Sequence, residues 1–131
     1  AQFIGENNRL MGTVESIRDD ECSVRVDGGQ QIVQARAVNN GPAGSRTTLS
    51  LRPESVKINP EGSVYSERFE ARVEELIYLG DHIRVRVSVL QHDDFIIKVP
   101  RTDDAPVLQA GQTCTVAWQA KDCRALDAPQ D

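Results

Sequence analysis

Apolar and polar residues alternate along almost the whole chain, while the three-and-four spacing of a helix face is nearly absent. Successive side chains of an extended chain point to opposite faces, so each alternating run predicts a strand with one buried face. Strands are expected over 13–17, 22–26, 31–38 and 47–51, with Cys22, Val24 and Val26 sharing a face. Asp27-Gly28-Gly29 supplies a hairpin turn, because glycine reaches the positive φ that tight turns need. Asn39 to Gly44 reads as a loop, and Arg52-Pro53-Glu54-Ser55 ends the fourth strand, since Pro53 has no N–H for a ladder.

After a spacer at 59–64 the alternation resumes more strongly. Phe69, Ala71, Val73, Ile77 and Leu79 are expected on one face, with Glu75 the exception among them; Gly80-Asp81 then turns the chain into Ile83, Val85, Val87 and Val89. Further strands are expected over 95–99, 114–118 and 123–126, with a polar loop from Pro100 to Pro106. The order of patterns also repeats. Residues 43–52 align without gaps on 110–119, residues 12–17 resemble 71–76, and Val24-Arg25-Val26 resembles Val85-Arg86-Val87. Valine-rich strands can resemble one another by chance, but the repeated order favours two units, 1–58 and 65–131. Each is too small to bury a good core alone, so two packed and intertwined half-repeats, each a small curled barrel, are the expected all-β architecture.

Composition supports sheet over helix bundle: six aromatics (three Phe, two Tyr, one Trp) leave aliphatic and β-branched residues to fill the core. Fifteen Lys and Arg against 20 Asp and Glu give a net charge of −5, a poor match for nucleic acid. No apolar run approaches the roughly 18 residues of a membrane-spanning helix. Cys22, Cys114 and Cys123 lack CxxC spacing and read as small buried apolar residues in a reducing compartment.

Little in the chain suggests catalysis. His82 and His92 flank one expected strand, about 30 Å apart at ~3.3 Å per residue, too far to share a metal. Asp19-Asp20-Glu21, Asp93-Asp94 and Asp103-Asp104 lack the alternating spacing of a calcium loop and read as solvated turns. Arg68, Arg72, Arg84 and Arg86 are expected outward on the hairpin, laddered with Glu70 and Glu74. There is no phosphate-cradling G-x-x-x-x-G-K-[ST] loop, and Gly28-Gly29-Gln30 fits a turn.

Several short motifs occur in a telling order. They are Phe3-Ile4-Gly5-Glu6-Asn7-Asn8 before Gly12-Thr13-Val14, then Leu51-Arg52-Pro53-Glu54, Val73-Glu74-Glu75-Leu76 with Tyr78-Leu79-Gly80, and Trp118. Together they resemble the C-terminal region of ABC-importer ATPase subunits of the spermidine/putrescine type, the transport-associated OB (TOBE) domain. The resemblance implies tandem OB-like halves serving as a regulatory and dimerisation domain. It also implies an ATPase domain before Ala1 that carries ATP and magnesium, with no cofactor, metal or catalytic residue in this stretch. The implied partners are a second copy, that ATPase domain and the transmembrane permease subunits, on the cytoplasmic face of the plasma membrane. Candidate interdomain contacts are Arg52, Pro53, Glu54, Tyr78, Gly80 and Trp118. Two other readings are an oxyanion-binding module, to which Ser45, Thr47 and Thr48 could contribute, and an OB-fold nucleic-acid binder.

Overall fold

The computed structural model describes residues 7–62, 64–103 and 105–127; the Phe3-Ile4-Gly5-Glu6 motif lies outside them. Within these residues the first unit comprises β1 (Asn8–Arg18), β2 (Glu21–Val26), β3 (Ile32–Asn39), β4 (Arg46–Leu51), a 3₁₀ turn (Pro53–Ser55) and β5 (Lys57–Ile58). The second comprises β6 (Glu67–Tyr78), β7 (His82–Val89), β8 (His92–Pro100), β9 (Thr113–Trp118), a 3₁₀ turn (Ala120–Asp122) and β10 (Cys123–Asp127). The two units share one element order, four strands, a 3₁₀ corner and a short fifth strand.

The fifth strands are exchanged. Strand β10 closes the first sheet into a barrel in the order β1-β2-β3-β10-β4, and β5 joins the second sheet, β5-β9-β6-β7-β8. The stretches 1–58 and 65–131 therefore differ from the two sheets, because each 3₁₀ corner sends the chain across to the other unit. The second sheet stays open, so the expected pair of barrels is one barrel and one half-barrel.

Hydrogen bonding reproduces the repeat in detail. The β1–β2 ladder slips between Val14 and Ser16, and the β6–β7 ladder slips between Val73 and Glu75, so Glu15 and Glu74 are the extra residues of equivalent β-bulges. Beside each bulge a left-handed glycine donates to the strand: Gly44 N–H to Val14 O and Gly111 N–H to Val73 O, both 2.7 Å. The Val-Arg-Val match is corrected by register. Val14 faces Val24 and Val73 faces Val87, so Val24 corresponds to Val87 and not to Val85. The cause is the longer tip of the β6–β7 hairpin.

The bulge also corrects the β6 face. Inward alternation holds through Ala71 and Val73; past Glu74 the faces swap, Leu76 packs against the core, and Ile77 and Leu79 point outward. The swap likewise replaces the expected arginine ladder. Glu75 faces Arg86 at 3.6 Å, and Glu74 accepts a hydrogen bond from Ser88 Oγ at 2.6 Å.

One continuous core runs through both sheets, from Leu10, Val14, Val24 and Leu49 to Val73, Val85, Phe95 and Val116. Full burial of each such side chain is worth about 1.5–3 kcal/mol. Two side chains then tie the units. Asn8, at the start of β1, donates from Nδ2 to Ile96 O at 2.8 Å and accepts from Ile96 N–H at 2.7 Å. Glu67, at the start of β6, accepts from Gln34 N–H at 2.7 Å. Asn8 and Glu67 occupy equivalent places, as do Ile96 and Gln34, so each unit caps the third strand of the other.

Candidate functional site

The six candidate contact residues fall in three places. Arg52, Pro53 and Glu54 form the 3₁₀ corner through which the first unit passes β5 to the second sheet. Pro53 is buried, at a position where its fixed φ and missing N–H suit the start of a turn. Ser55 N–H closes the turn on Arg52 O at 3.0 Å, and no side-chain hydrogen bond caps it among the described residues. The Glu54 carboxylate lies 3.9 Å from Arg52, and both side chains are largely exposed. Such a loose surface pair contributes little to stability and is free to meet another surface.

Tyr78 and Gly80 lie at the tip of the β6–β7 hairpin. Ile77, Tyr78 and Leu79 are 38%, 59% and 38% exposed; the bulge places Ile77 and Leu79 outward, and Tyr78 between them is exposed at the end of the strand. Arg101, beyond β8, braces this tip: its guanidinium carbon is 5.7 Å from the Tyr78 ring centroid, and its Nη1 donates to Leu79 O at 2.9 Å. The cation over the ring and the backbone bond hold the tip in one shape. A Cβ at Gly80 would meet nothing within 4 Å, and its φ is not left-handed, so the fold does not require glycine there. Trp118 differs from the other five. It is fully buried, with centroids 5.3 Å from Phe69 and 5.8 Å from Phe95, so it belongs to the core and touches no outside surface. Among the described residues its buried Nε1 has no hydrogen-bond partner.

The chemistry-bearing groups remain dispersed. His82 Nδ1 lies 2.8 Å from Asp81 Oδ1, and the His92 ring binds Leu90 O at 2.8 Å, at opposite ends of β7. Among the described residues no three His, Cys, Asp or Glu side chains gather as metal ligands. All three cysteines are buried, and desolvation pushes their thiols up, so they stay protonated and weakly nucleophilic. The hydroxyls considered for an oxyanion are occupied: Ser45 Oγ donates to Pro42 O at 2.5 Å, Thr47 Oγ1 to Leu126 O at 2.6 Å, and Thr48 Oγ1 to Met11 Sδ at 3.1 Å. Sequence reasoning missed Asn8, Glu67 and Arg101. Asn8 and Glu67 each precede an alternating run at matching repeat positions, which was the available signal.

The fold is thus two interlocked OB-like sheets, one closed and one open, with a partly apolar hairpin tip braced by Arg101. The chain belongs to the TOBE domain family, which matches it over residues 49–126, more than half its length. It is 31% identical to the spermidine/putrescine import ATP-binding protein PotA of Trichodesmium erythraeum, over 96% of this chain and 34% of that protein. It is 32% identical to the Fe(3+) ions import ATP-binding protein FbpC of Brucella abortus, over 83% of this chain and 29% of that protein. The chain thus spans about a third of the length of the curated relatives it matches. Among solved structures, the cytoplasmic molybdate-binding protein ModG aligns with a TM-score of 0.75 at 14% identity, over 92% of this chain and 96% of that one, which establishes a shared fold.

Proposed function

We propose that this chain is the regulatory part of an ATP-binding subunit of an ABC importer of the spermidine/putrescine type, and that it couples ATPase-domain movement to transport. The alignment with a spermidine/putrescine import ATP-binding protein over 96% of the chain carries this reading. In it, ATP and magnesium belong to a separate ATPase domain, and the permease subunits hold the assembly at the inner face of the plasma membrane. The corner at Arg52–Glu54 and the tip at Ile77–Leu79 are the surfaces offered to the ATPase domain and to a second copy. A module of this kind works through contacts that differ between open and closed states and needs no catalytic group.

Light scattering at high micromolar concentration tests the self-association; a dimer is expected, and a strict monomer counts against it. In vesicles carrying the complete importer, Tyr78→Ala is expected to lower spermidine uptake more than ATP hydrolysis. Equal uptake and hydrolysis in variant and parent would refute a coupling role for the tip. The likeness to a molybdate-binding protein raises a second reading, which the occupied hydroxyls of Ser45, Thr47 and Thr48 disfavour. Calorimetry with molybdate, sulfate and spermidine separates the two, since a purely coupling module gives no heat.

A further inference from the structure

The loop that follows β3 carries an Asn-Gly pair, Asn40-Gly41, and the equivalent loop after β8 carries none. It is the only such pair in the chain. The other asparagines precede Asn8, Arg9, Asn40 and Pro60, residues whose β-carbon crowds the peptide nitrogen that follows the asparagine.

Packing explains the glycine. A Cβ at Gly41 would lie 2.7 Å from Ser45 Oγ and 3.1 Å from Ser45 Cβ. Ser45 is itself fixed, its Oγ and its N–H both donating to Pro42 O, at 2.5 and 3.0 Å. The Asn40 side chain folds back over this glycine, Nδ2 donating to Gly41 O at 2.8 Å, which brings the side-chain carbonyl carbon Cγ beside the Gly41 backbone. Among the described residues Gly41 N–H makes no hydrogen bond that would hold its nitrogen back. Asn40 and Gly41 are half-buried and Pro42, Ala43 and Gly44 are exposed, so water and hydroxide reach the pair. Asp27-Gly28 supplies the contrast. There Arg46 grips both carboxylate oxygens, at 2.7 and 2.5 Å, and keeps the group ionised, which makes it a poor acyl acceptor.

We propose that Asn40 is a site of spontaneous deamidation, which turns it into isoaspartate and aspartate at the end of β3. Gly41 N, after losing its proton to hydroxide, attacks Asn40 Cγ. The N–Cγ bond forms, the Cγ–Nδ2 bond breaks, and Nδ2 takes a proton from water and leaves as ammonia. Water then opens the cyclic imide at either carbonyl. Opening at one side restores the ordinary main chain with an aspartate side chain; opening at the other routes the main chain through Cγ and leaves isoaspartate.

The location gives the change a structural effect. Asn39 is the last residue of β3 that pairs with β10, opposite Leu126. Isoaspartate lengthens the backbone immediately after that pair, and either product adds a negative charge to a chain of net charge −5. The seam through which the second unit's strand closes the barrel is therefore expected to loosen from this end. This inference is independent of the transport reading.

The test is to age the folded chain at pH 8 and map its peptides by mass spectrometry, with an isoaspartate-specific digest. Conversion at Asn40 is expected to be about tenfold or more faster than at Asn39, with isoaspartate in excess and Asp27 unchanged. Conversion confined to urea-unfolded chain, equal rates at Asn39 and Asn40, or isoaspartate forming at Asp27 as fast as at Asn40 would each overturn the proposal. Asn40→Gln, whose longer side chain closes the ring far more slowly, is expected to stay unmodified. Hydrogen exchange in β10 is expected to quicken in the aged parent and to stay constant in aged Asn40→Gln. Equal quickening in both, or none in a fully converted parent, would overturn the effect on the seam.

Discussion

Asn8 offers a direct test of how the units are held together. Its side chain is buried at 6% exposure and satisfies both the N–H and the C=O of Ile96 on the open edge of β8. Asn8→Ala would leave two backbone groups without partners at a site little reached by water. An unsatisfied buried polar group costs about 1–3 kcal/mol, and some water entry offsets part of it, so the expected loss is about 2–3 kcal/mol. Urea titration followed through Trp118, the only tryptophan, reports on the second sheet's core. Asn8→Asp adds a second readout. An ionised carboxylate still accepts from Ile96 N–H but repels Ile96 O, and its protonated form can serve both groups. The folded pKa of the new carboxyl is therefore raised, so its destabilisation relative to the parent should shrink as pH falls toward 4. A loss below about 0.5 kcal/mol in Asn8→Ala would show that solvent satisfies Ile96 and would refute the inter-unit tie.

Three further outcomes follow from local geometry. Gly12→Ala places a Cβ 2.5 Å from Arg25 O and 2.7 Å from Val24 Cγ1, and should destabilise by about 1–3 kcal/mol in urea titration, although the equivalent position holds Ala71. The Arg46 guanidinium, 2.5 Å away, holds the Asp27 carboxyl below its ordinary value, so the pair stabilises at neutral pH and the benefit fades as pH falls through the acid range. Both groups are about half exposed, so Asp27→Asn should cost less than about 1 kcal/mol at pH 7 and nothing measurable near pH 2, read from melting curves. Cys22, Cys114 and Cys123 should resist thiol reagents at pH 8 in the folded chain and react promptly in urea, as mass spectrometry would record.

Much of the architecture was legible because period-two alternation is a local property: nearly every expected strand lies inside an observed one, and the repeated Ala-Gly segments at 43–44 and 110–111 mark equivalent turns. What escaped was settled by register. A single extra residue at Glu74 sends Ile77 and Leu79 outward, and alternation alone cannot show where a bulge falls. The exchange of β5 and β10 depends on pairing over long sequence distance, and β5 has only two residues. Of the candidate contacts, Arg52, Glu54 and Tyr78 have exposed side chains, while Pro53 is buried in its corner. Trp118 stands at the end of an alternating strand and completes its buried face. A large aromatic there packs as core whatever motif contains it.

The traded terminal strands give the molecule a further property. Cutting the backbone within 59–62 would yield two pieces that each lack the strand completing their own sheet, and mixing them should restore one particle. A lone copy of such a unit could complete itself only by embracing a twin, so the present chain has the form of a swapped pair fused end to end. Fusion fixes the stoichiometry and leaves each copy free to diverge, one toward a sealed cylinder and the other toward a gap.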